Sequence, residues 1–135
     1  MAFCNSLDDY LLHESSIDDI VLENNCIALV FKRGFYDKKH NQLSNCKIII
    51  EINSFQDYSA DSFATIWKYV YRRKSRKGKL ISWSELKKAL NRDEFIVDSH
   101  FCSEFEKAIL ILGRISKYEI ELKITDIDSL KVDFC

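Results

Sequence analysis

The chain has 135 residues, with 20 Lys and Arg side chains against 21 Asp and Glu, five cysteines, three glycines and no proline. Its 47% hydrophobic and 30% charged content excludes a disordered chain and predicts a single folded domain over residues 1–135. The few glycines and the missing prolines exclude a Gly-rich phosphate loop and Pro-rich linkers, and five irregularly spaced cysteines argue against a secreted disulfide scaffold.

The first part of the chain predicts a β-hairpin, a loop and a buried strand. The apolar strands Ile17–Leu22 and Cys26–Phe31 flank a Glu-Asn-Asn turn, in which asparagine tolerates positive φ. The polar segment Lys32–Asn45 predicts a loop. The next strand, Lys47–Ile52, contains three consecutive isoleucines, which indicate that both of its faces are buried.

The segment Phe63–Arg73 alternates between two sets of side chains, one of them mostly aromatic. A period of two residues over this length is typical of a long strand. Large apolar side chains also recur from Phe63 to Val70 at the i, i+3, i+4 and i+7 spacing of a helical face, so a helix is the alternative.

One helix is marked by a clear start signal. After the basic loop Lys74–Lys79, Ser82 and Glu85 form a capping box, in which Ser82 caps the Glu85 N–H and Glu85 reaches back to the Ser82 N–H. The pattern predicts a helix over Trp83–Leu90, with Asn91 as its C-cap.

The last part of the chain predicts strands alone. Glu94–Asp98 predicts a short strand, and Leu130–Phe134 a terminal one. Between them, Lys107–Ile115 and Tyr118–Thr125 form a hairpin across a Ser-Lys turn, and alternate residues from Tyr118 onward face the core. The whole chain is therefore predicted to be an α+β domain of mostly antiparallel β-sheet, with about seven to eight strands and one main helix near 83–90.

Charge is segregated along the chain. Residues 1–31 carry six acidic and no basic side chains, residues 32–92 carry 15 basic and 5 acidic ones, and residues 93–135 carry 5 basic and 10 acidic ones. Patches of one sign steer charged partners, so the acidic N-terminal segment is a candidate surface for a basic protein such as a nuclease. The alternative is an ordinary solvated surface. The candidate partner-binding residues are Asp8, Asp9, Glu14, Asp18, Asp19 and Glu23.

The basic loop offers a second function, the binding of nucleic acid. Its cations could contact phosphates while bases stack on the neighbouring Trp67, Tyr69 and Tyr71. The alternative is a charged connection that discourages pairing between sheet edges. The near-neutral total charge argues against direct nucleic-acid binding. The candidate phosphate contacts are Arg72, Arg73, Lys74, Arg76, Lys77 and Lys79.

Catalytic and metal-binding chemistry has weak support. His13 beside Glu14, together with His100, could form a general acid–base set, but their spacing matches no catalytic motif. The His100-x-Cys102 pair lacks the second ligand pair that zinc requires. We therefore expect no enzyme activity, no catalytic residue, no metal and no cofactor.

The cysteines and the apolar runs bear on the compartment. Without a CxxC pair, the cysteines are predicted to be free thiols that pack as small apolar residues in a reducing cytosol. The N-terminus lacks the pattern of a signal peptide, and the longest apolar runs of about five residues are far below the ~20 that span a bilayer. The expected location is cytoplasmic, with no membrane contact.

Two segments near the N-terminus carry a family resemblance. Leu12–Ile20 (LHESSIDDI) followed by Asn25–Phe31 (NCIALVF) resembles the start of small β-rich immunity proteins of bacterial polymorphic-toxin and contact-dependent growth inhibition systems. The segment Ile81–Leu90 is similar in position to a helix of that family, whereas Glu14 stands where the family often has Asp. The resemblance implies a cytoplasmic immunity protein that binds one cognate toxin domain, commonly an RNase or tRNase, in a 1:1 complex and blocks its active or substrate-binding surface.

Overall fold

The computed structural model describes residues 3–53, 63–70 and 78–134, and in these ranges the chain forms thirteen β-strands, one α-helix and one 3-10 turn. The helix α1 spans Trp83–Leu90, and the 3-10 turn spans Phe3–Leu7. The strands are β1 (Tyr10–Leu11), β2 (Ser16–Ile17), β3 (Asp19–Glu23), β4 (Cys26–Phe31), β5 (Phe35–Asp37), β6 (Gln42–Leu43), β7 (Cys46–Ile52), β8 (Ala64–Val70), β9 (Lys79–Ile81), β10 (Phe95–Ser103), β11 (Ala108–Ile115), β12 (Tyr118–Ile124) and β13 (Ile127–Asp133).

Two antiparallel sheets carry the core. One has six strands in the order β2-β10-β11-β12-β8-β9, and the other has four in the order β13-β7-β4-β3. Alternate side chains of both sheets meet in one apolar cluster, as the period of a strand requires. A third, small sheet pairs β1, β5 and β6. The prediction of a mostly antiparallel fold with one helix is confirmed, whereas the thirteen strands of the described ranges exceed the predicted seven to eight.

The elements with strong local signals are confirmed. The first hairpin joins β3 to β4 through Asn24 at φ 55°, and the last joins β11 to β12 through Ser116 at φ 54°. The segment for which a helix was the alternative is a strand over Ala64–Val70, and its predicted continuation to Arg73 lies outside the described residues.

The helix begins and ends where its caps predict. The Ser82 hydroxyl accepts a hydrogen bond from the Glu85 N–H at 3.1 Å, which satisfies one of the free amides at the helix start. Trp83, Leu86 and Leu90 are buried on one face, through which the helix packs against β3 of one sheet and β8 of the other. The helix therefore closes the gap between the two sheets at one end of the core. Asn91 is the C-cap, as predicted.

The prediction that Lys32–Asn45 is a loop is wrong. This segment contains β5 and β6, which pair with each other, and β5 also pairs with β1 from a different part of the chain. Gly34 makes the turn into β5 at φ 71°, where an added Cβ would lie 1.4 Å from the Leu43 carbonyl oxygen. These strands of two or three residues have too little periodicity of their own to be recognised, because their pairing depends on a distant partner.

Two strand boundaries and the predicted burial of one strand also need correction. The predicted strand Glu94–Asp98 is the start of the nine-residue β10, which continues to Ser103 after a bulge at Asp98 because β11 pairs with it throughout. Ile17 does not belong to the first hairpin but to β2, which pairs with β10 in the other sheet. Only one face of β7 is fully buried, since Ile49 is half-buried and Lys47 is exposed.

The prediction that all the cysteines are free thiols is wrong. Cys4 and Cys102 form a disulfide with their Cα atoms 5.7 Å apart and a sequence separation of 98 residues. The fold brings them together because the 3-10 turn packs against β13, beside the distal end of β10. Nothing in the local spacing indicates such a pairing. Cys26 and Cys46 are free, and Cys135 lies outside the described residues.

Candidate protein-binding surface

The six-stranded sheet has one face in the core and one face toward solvent. On β11, Ile109, Ile111 and Ile115 point inward, whereas Leu110 and Leu112 point to the other side and are half-buried. The strand register carries this outward alternation across the sheet. We call this solvent side the outer face; its residues include Thr65, Trp67, Tyr69, Leu80, Ile96, Ser99, Phe101, Leu110, Leu112, Arg114, Glu119, Glu121 and Lys123.

Large apolar side chains are exposed on the outer face. Phe101 is 59% exposed and lies opposite Leu110, and Leu80 is 57% exposed and lies opposite Trp67, itself 39% exposed. Single exposed apolar residues are normal, but a set of them on one sheet is typical of an interaction site. Aromatic side chains are also enriched among the residues that dominate binding energies.

The two aromatic rings of β8 pack against a glycine. An added Cβ at Gly78 would lie 2.4 Å from Cε1 of Tyr69 and 3.1 Å from Cε3 of Trp67. Both rings therefore pack directly over the Gly78 backbone just before β9. A larger residue there would displace the rings and change the outer face.

A charged cluster stands at the β10 bulge, at the border of the outer face. Arg114 donates from Nε to a carboxylate oxygen of Asp98 at 3.1 Å, and its Nη2 lies 3.7 Å from a carboxylate oxygen of Glu14. His13 contacts the same Glu14 oxygen at 3.4 Å and, through Nδ1, the Asp98 carbonyl oxygen at 2.7 Å. The cluster brings a carboxylate of the N-terminal acidic segment next to one of the C-terminal segment.

The outer face and this cluster together carry more negative than positive charge. Glu119 lies directly opposite Arg114 on the neighbouring strand, and Glu121 lies opposite Trp67. Among its described residues, this surface has four carboxylates and two cations. The carboxylates are those of Glu14, Asp98, Glu119 and Glu121, and the cations are Arg114 and Lys123. Exposed aromatic groups beside a surplus of carboxylates match a partner that presents apolar contacts and cations.

The six predicted partner-binding carboxylates do not lie together. Asp8 and Asp9 are exposed after the 3-10 turn, Glu14 joins the Arg114 cluster, and Glu23 is exposed at the end of β3. Asp18 and Asp19 lie at the start of β3. The six carboxylates therefore lie in four separate parts of the surface. Among them, only Glu14 borders the outer face.

Two of these carboxylates already have partners inside the chain. Asp18 accepts the backbone N–H of Lys32 at 2.7 Å. Asp19 accepts the N–H of Ile20 at 2.9 Å and lies 3.9 Å from the Lys87 ammonium group. Both side chains are half-buried, so they stabilise the local backbone and present little free charge to a partner.

Part of the charge segregation is cancelled in space. Arg33 of the basic middle segment lies 3.3 Å from Glu94, whose other oxygen accepts a hydrogen bond from the buried Ser16 hydroxyl. Lys87 of the same segment lies 3.9 Å from Asp19 on β3, the edge strand of the four-stranded sheet. Folding thus places basic side chains of the middle segment beside acidic ones from both ends of the chain.

Most of the predicted phosphate contacts cannot be placed. Arg72, Arg73, Lys74, Arg76 and Lys77, like Tyr71, lie outside the described residues. Lys79 is exposed on β9, opposite Lys68.

Burial shifts the pKa values of two titratable groups, His100 and Cys26. Burial lowers the pKa of His100, and the nearby Asp8 opposes this shift. Burial raises the pKa of the Cys26 thiol, and Glu51 and Glu23 add to the effect, so the reactive thiolate is disfavoured. Cys46 is fully buried. His13 is exposed but bonded to a backbone carbonyl.

The sequence pattern did not predict the exposure of the main exposed apolar residues, Phe101, Leu80 and Phe105. Phe101 lies on the part of β10 that was not predicted as a strand, so its parity could not be assigned. One signal for Phe105 was available, since it stands between two glutamates in a short connection before a predicted strand.

Comparisons with known proteins do not assign the chain to a family. No protein-family model, curated protein or solved structure matches it. The structure also contains, within the described ranges, no helix of the length and hydrophobicity that a bilayer crossing requires.

Proposed function

We propose that this protein is an immunity-type inhibitor, which binds one basic nuclease toxin domain 1:1 and covers its active or substrate-binding surface. The observation that carries the proposal is the outer face together with the Arg114 cluster at its border, a surface that combines exposed aromatic side chains with carboxylates from both acidic segments of the chain. The resemblance of its N-terminal segments to immunity proteins supports the same conclusion.

The chemistry of the outer face fits such a partner. A nuclease binds phosphates with Lys and Arg, and carboxylates placed over those cations compete with the nucleic acid. Trp67 and Phe101 would supply the apolar contacts on which affinity depends, while Glu119 and Glu121 would pair with the partner's cations. The proposal places the complex in the cytoplasm, where the toxin would meet its substrate; the Cys4–Cys102 disulfide argues against this compartment, because such bonds are rare in a reducing cytosol.

The proposal modifies the original set of partner-binding residues. Glu14 stays in the set at the border of the candidate interface, and Asp8, Asp9 and Glu23 are exposed and can steer an approaching cationic partner. Asp18 and Asp19 are assigned to the fold of β3 instead, because their carboxylates hold backbone amides.

The decisive experiment first examines the gene beside this one for a toxin domain and then co-expresses that domain with this chain, scored by cell survival; a neighbouring gene without such a domain would count against the proposal. The double variant Glu119→Lys and Glu121→Lys should slow association with that domain about tenfold at low ionic strength, because an attractive field becomes repulsive. The double variant Asp128→Lys and Asp133→Lys is the matched control, since it changes the charge by the same amount at two exposed positions of β13, outside the outer face.

Two outcomes would contradict the proposal. Survival that does not depend on this protein would remove the inhibitor function. Unchanged association of the Glu119→Lys and Glu121→Lys double variant at every salt concentration would remove the outer face as the interface.

A nucleic-acid-binding accessory protein is the second candidate. It is favoured by Trp67 and Tyr69, which lie on a solvent-facing sheet beside the chain segment that leads to the predicted basic loop. Filter binding to single-stranded RNA at two salt concentrations separates the two functions. Micromolar binding with a steep salt slope would favour the accessory protein, and no binding at low salt would eliminate it.

A further inference from the structure

The turn between β10 and β11 carries the most exposed aromatic side chain of the described residues. Phe105 is 96% exposed, and glutamates precede and follow it in the four-residue turn Glu104–Lys107. A phenylalanine in water forgoes the burial that normally makes this residue useful to a fold. The described fold leaves this ring almost wholly exposed, so it is available to a partner.

The turn itself is well held. The Ser103 hydroxyl accepts a hydrogen bond from the Glu106 N–H at 3.1 Å, and Lys107 takes the positive φ of 52° that closes such a hairpin turn. The Lys107 carbonyl oxygen in turn accepts the N–H of Ile127 at 3.0 Å, which connects the turn to β13.

The β10 side of the turn is anchored to the N-terminal segment. Cys102, next to the turn, is bonded to Cys4 of the 3-10 turn. The two carboxylate oxygens of Glu104 accept the backbone N–H groups of Phe3 and Cys4. Glu104 is therefore turned back toward the protein, whereas Glu106 is exposed beside Phe105.

We infer that Phe105 is a preorganised anchor, which inserts into an apolar pocket of the partner while Glu106 pairs with a cation at the rim of that pocket. An aromatic side chain on a rigid turn binds at a lower entropic cost than one on a mobile loop, because the turn does not have to be ordered on binding. The inference rests on the proposed function, since it takes the same basic protein as its occupant.

The hairpin tip is continuous with the outer face. Phe101, at 59% exposure, lies on β10 only four positions before Phe105 and is paired with Leu110. A groove of about 170 Å³ extends from the outer face to Glu106 of the turn, and it is lined by Phe101, Ser103, Glu106, Leu110 and Lys123 among others. A partner seated on the outer face would thus reach the tip without a change in the fold.

The test is a calorimetric titration with the full chain, and its probe is a catalytically inactive form of the toxin domain identified by the co-expression experiment above. Phe105→Ala should weaken binding by about 30-fold or more, as loss of an interface anchor does. Its matched control is Phe134→Ala, the same change at a 48% exposed phenylalanine near the end of the chain, which should stay within about twofold of the wild type. Thermal melting of both variants checks that the fold is retained, as expected for side chains outside the core.

The outcomes separate the two proposals. Loss of affinity in Phe105→Ala alone supports the anchor. Binding of Phe105→Ala within about twofold of the wild type overturns the anchor but leaves the inhibitor function in place. Failure of the wild type itself to bind overturns both.

Discussion

Replacing Cys4 with serine tests the disulfide that joins the N-terminal turn to β10. The bond spans 98 residues, and closing a loop of that size in the unfolded chain is worth up to about 4.7 kcal/mol by the chain-entropy model, with about 2–4 kcal/mol typical of measured bonds. Cys4→Ser should therefore lower the free energy of unfolding by about 2–4 kcal/mol. For 135 residues, each kcal/mol corresponds to a melting-temperature shift of about 3.5 °C, so the loss should be about 7–14 °C.

The assay is urea denaturation of four samples: oxidised wild type, wild type reduced with dithiothreitol, Cys4→Ser, and Cys26→Ser as the control. The reduced wild type should match Cys4→Ser, and dithiothreitol should not change Cys4→Ser further. Cys26→Ser should remain sensitive to reduction, because Cys26 is free. Equal stability of oxidised wild type, reduced wild type and Cys4→Ser would show that Cys4 and Cys102 are not joined.

Two further predictions concern pH and packing. Burial lowers the folded-state pKa of His100 below its ordinary value of 6.5, so the unfolded chain takes up the proton first as pH falls. The free energy of unfolding should therefore decrease as pH falls below about 6.5. Urea titrations at several pH values should show this dependence, and His100→Gln should flatten it. Asp8→Asn should deepen it, because Asp8 opposes the shift. Gly113→Ala should cost about 1–3 kcal/mol in thermal or urea unfolding, because the new Cβ would lie 2.2 Å from the Ile96 carbonyl oxygen and 2.3 Å from the Phe95 ring; an unchanged midpoint would contradict this close approach.

The elements that could be predicted carry their signal within a few residues. The helix start at Ser82 needs only the capping residue, the amide three positions later and the apolar spacing that follows. The β11–β12 hairpin is equally local, because strict alternation on both strands and a two-residue turn determine its register.

The elements that were missed depend on partners far along the chain. The second half of β10 has no apolar alternation, and it is a strand because β11 supplies hydrogen bonds along its full length. Likewise, β5 needs β1, which precedes it by more than twenty residues. Pairing of this kind overrides the weak local preference of a polar segment.

The candidate site was predictable only in its residue types. The sequence shows an excess of carboxylates in residues 1–31, but it cannot show that Asp18 holds a backbone amide or that Glu14 meets Asp98 around Arg114. The exposed aromatic residues were missed for a related reason. Whether Phe101 faces water depends on the register after the β10 bulge, which only the paired strand determines.

By itself, the sequence determined the antiparallel β-rich class, the single described helix and the segregation of charge, because composition, periodicity and capping act over short distances. Only the tertiary structure decided which cysteines are joined, which carboxylates are bonded within the fold and which apolar side chains are left exposed. These properties depend on contacts between residues up to about a hundred positions apart, such as Cys4 with Cys102 or Phe3 with Glu104. The near-zero net charge of the whole chain therefore conceals the cluster at the border of the outer face, where Glu14 and Asp98 bring carboxylates from both ends of the sequence together around Arg114.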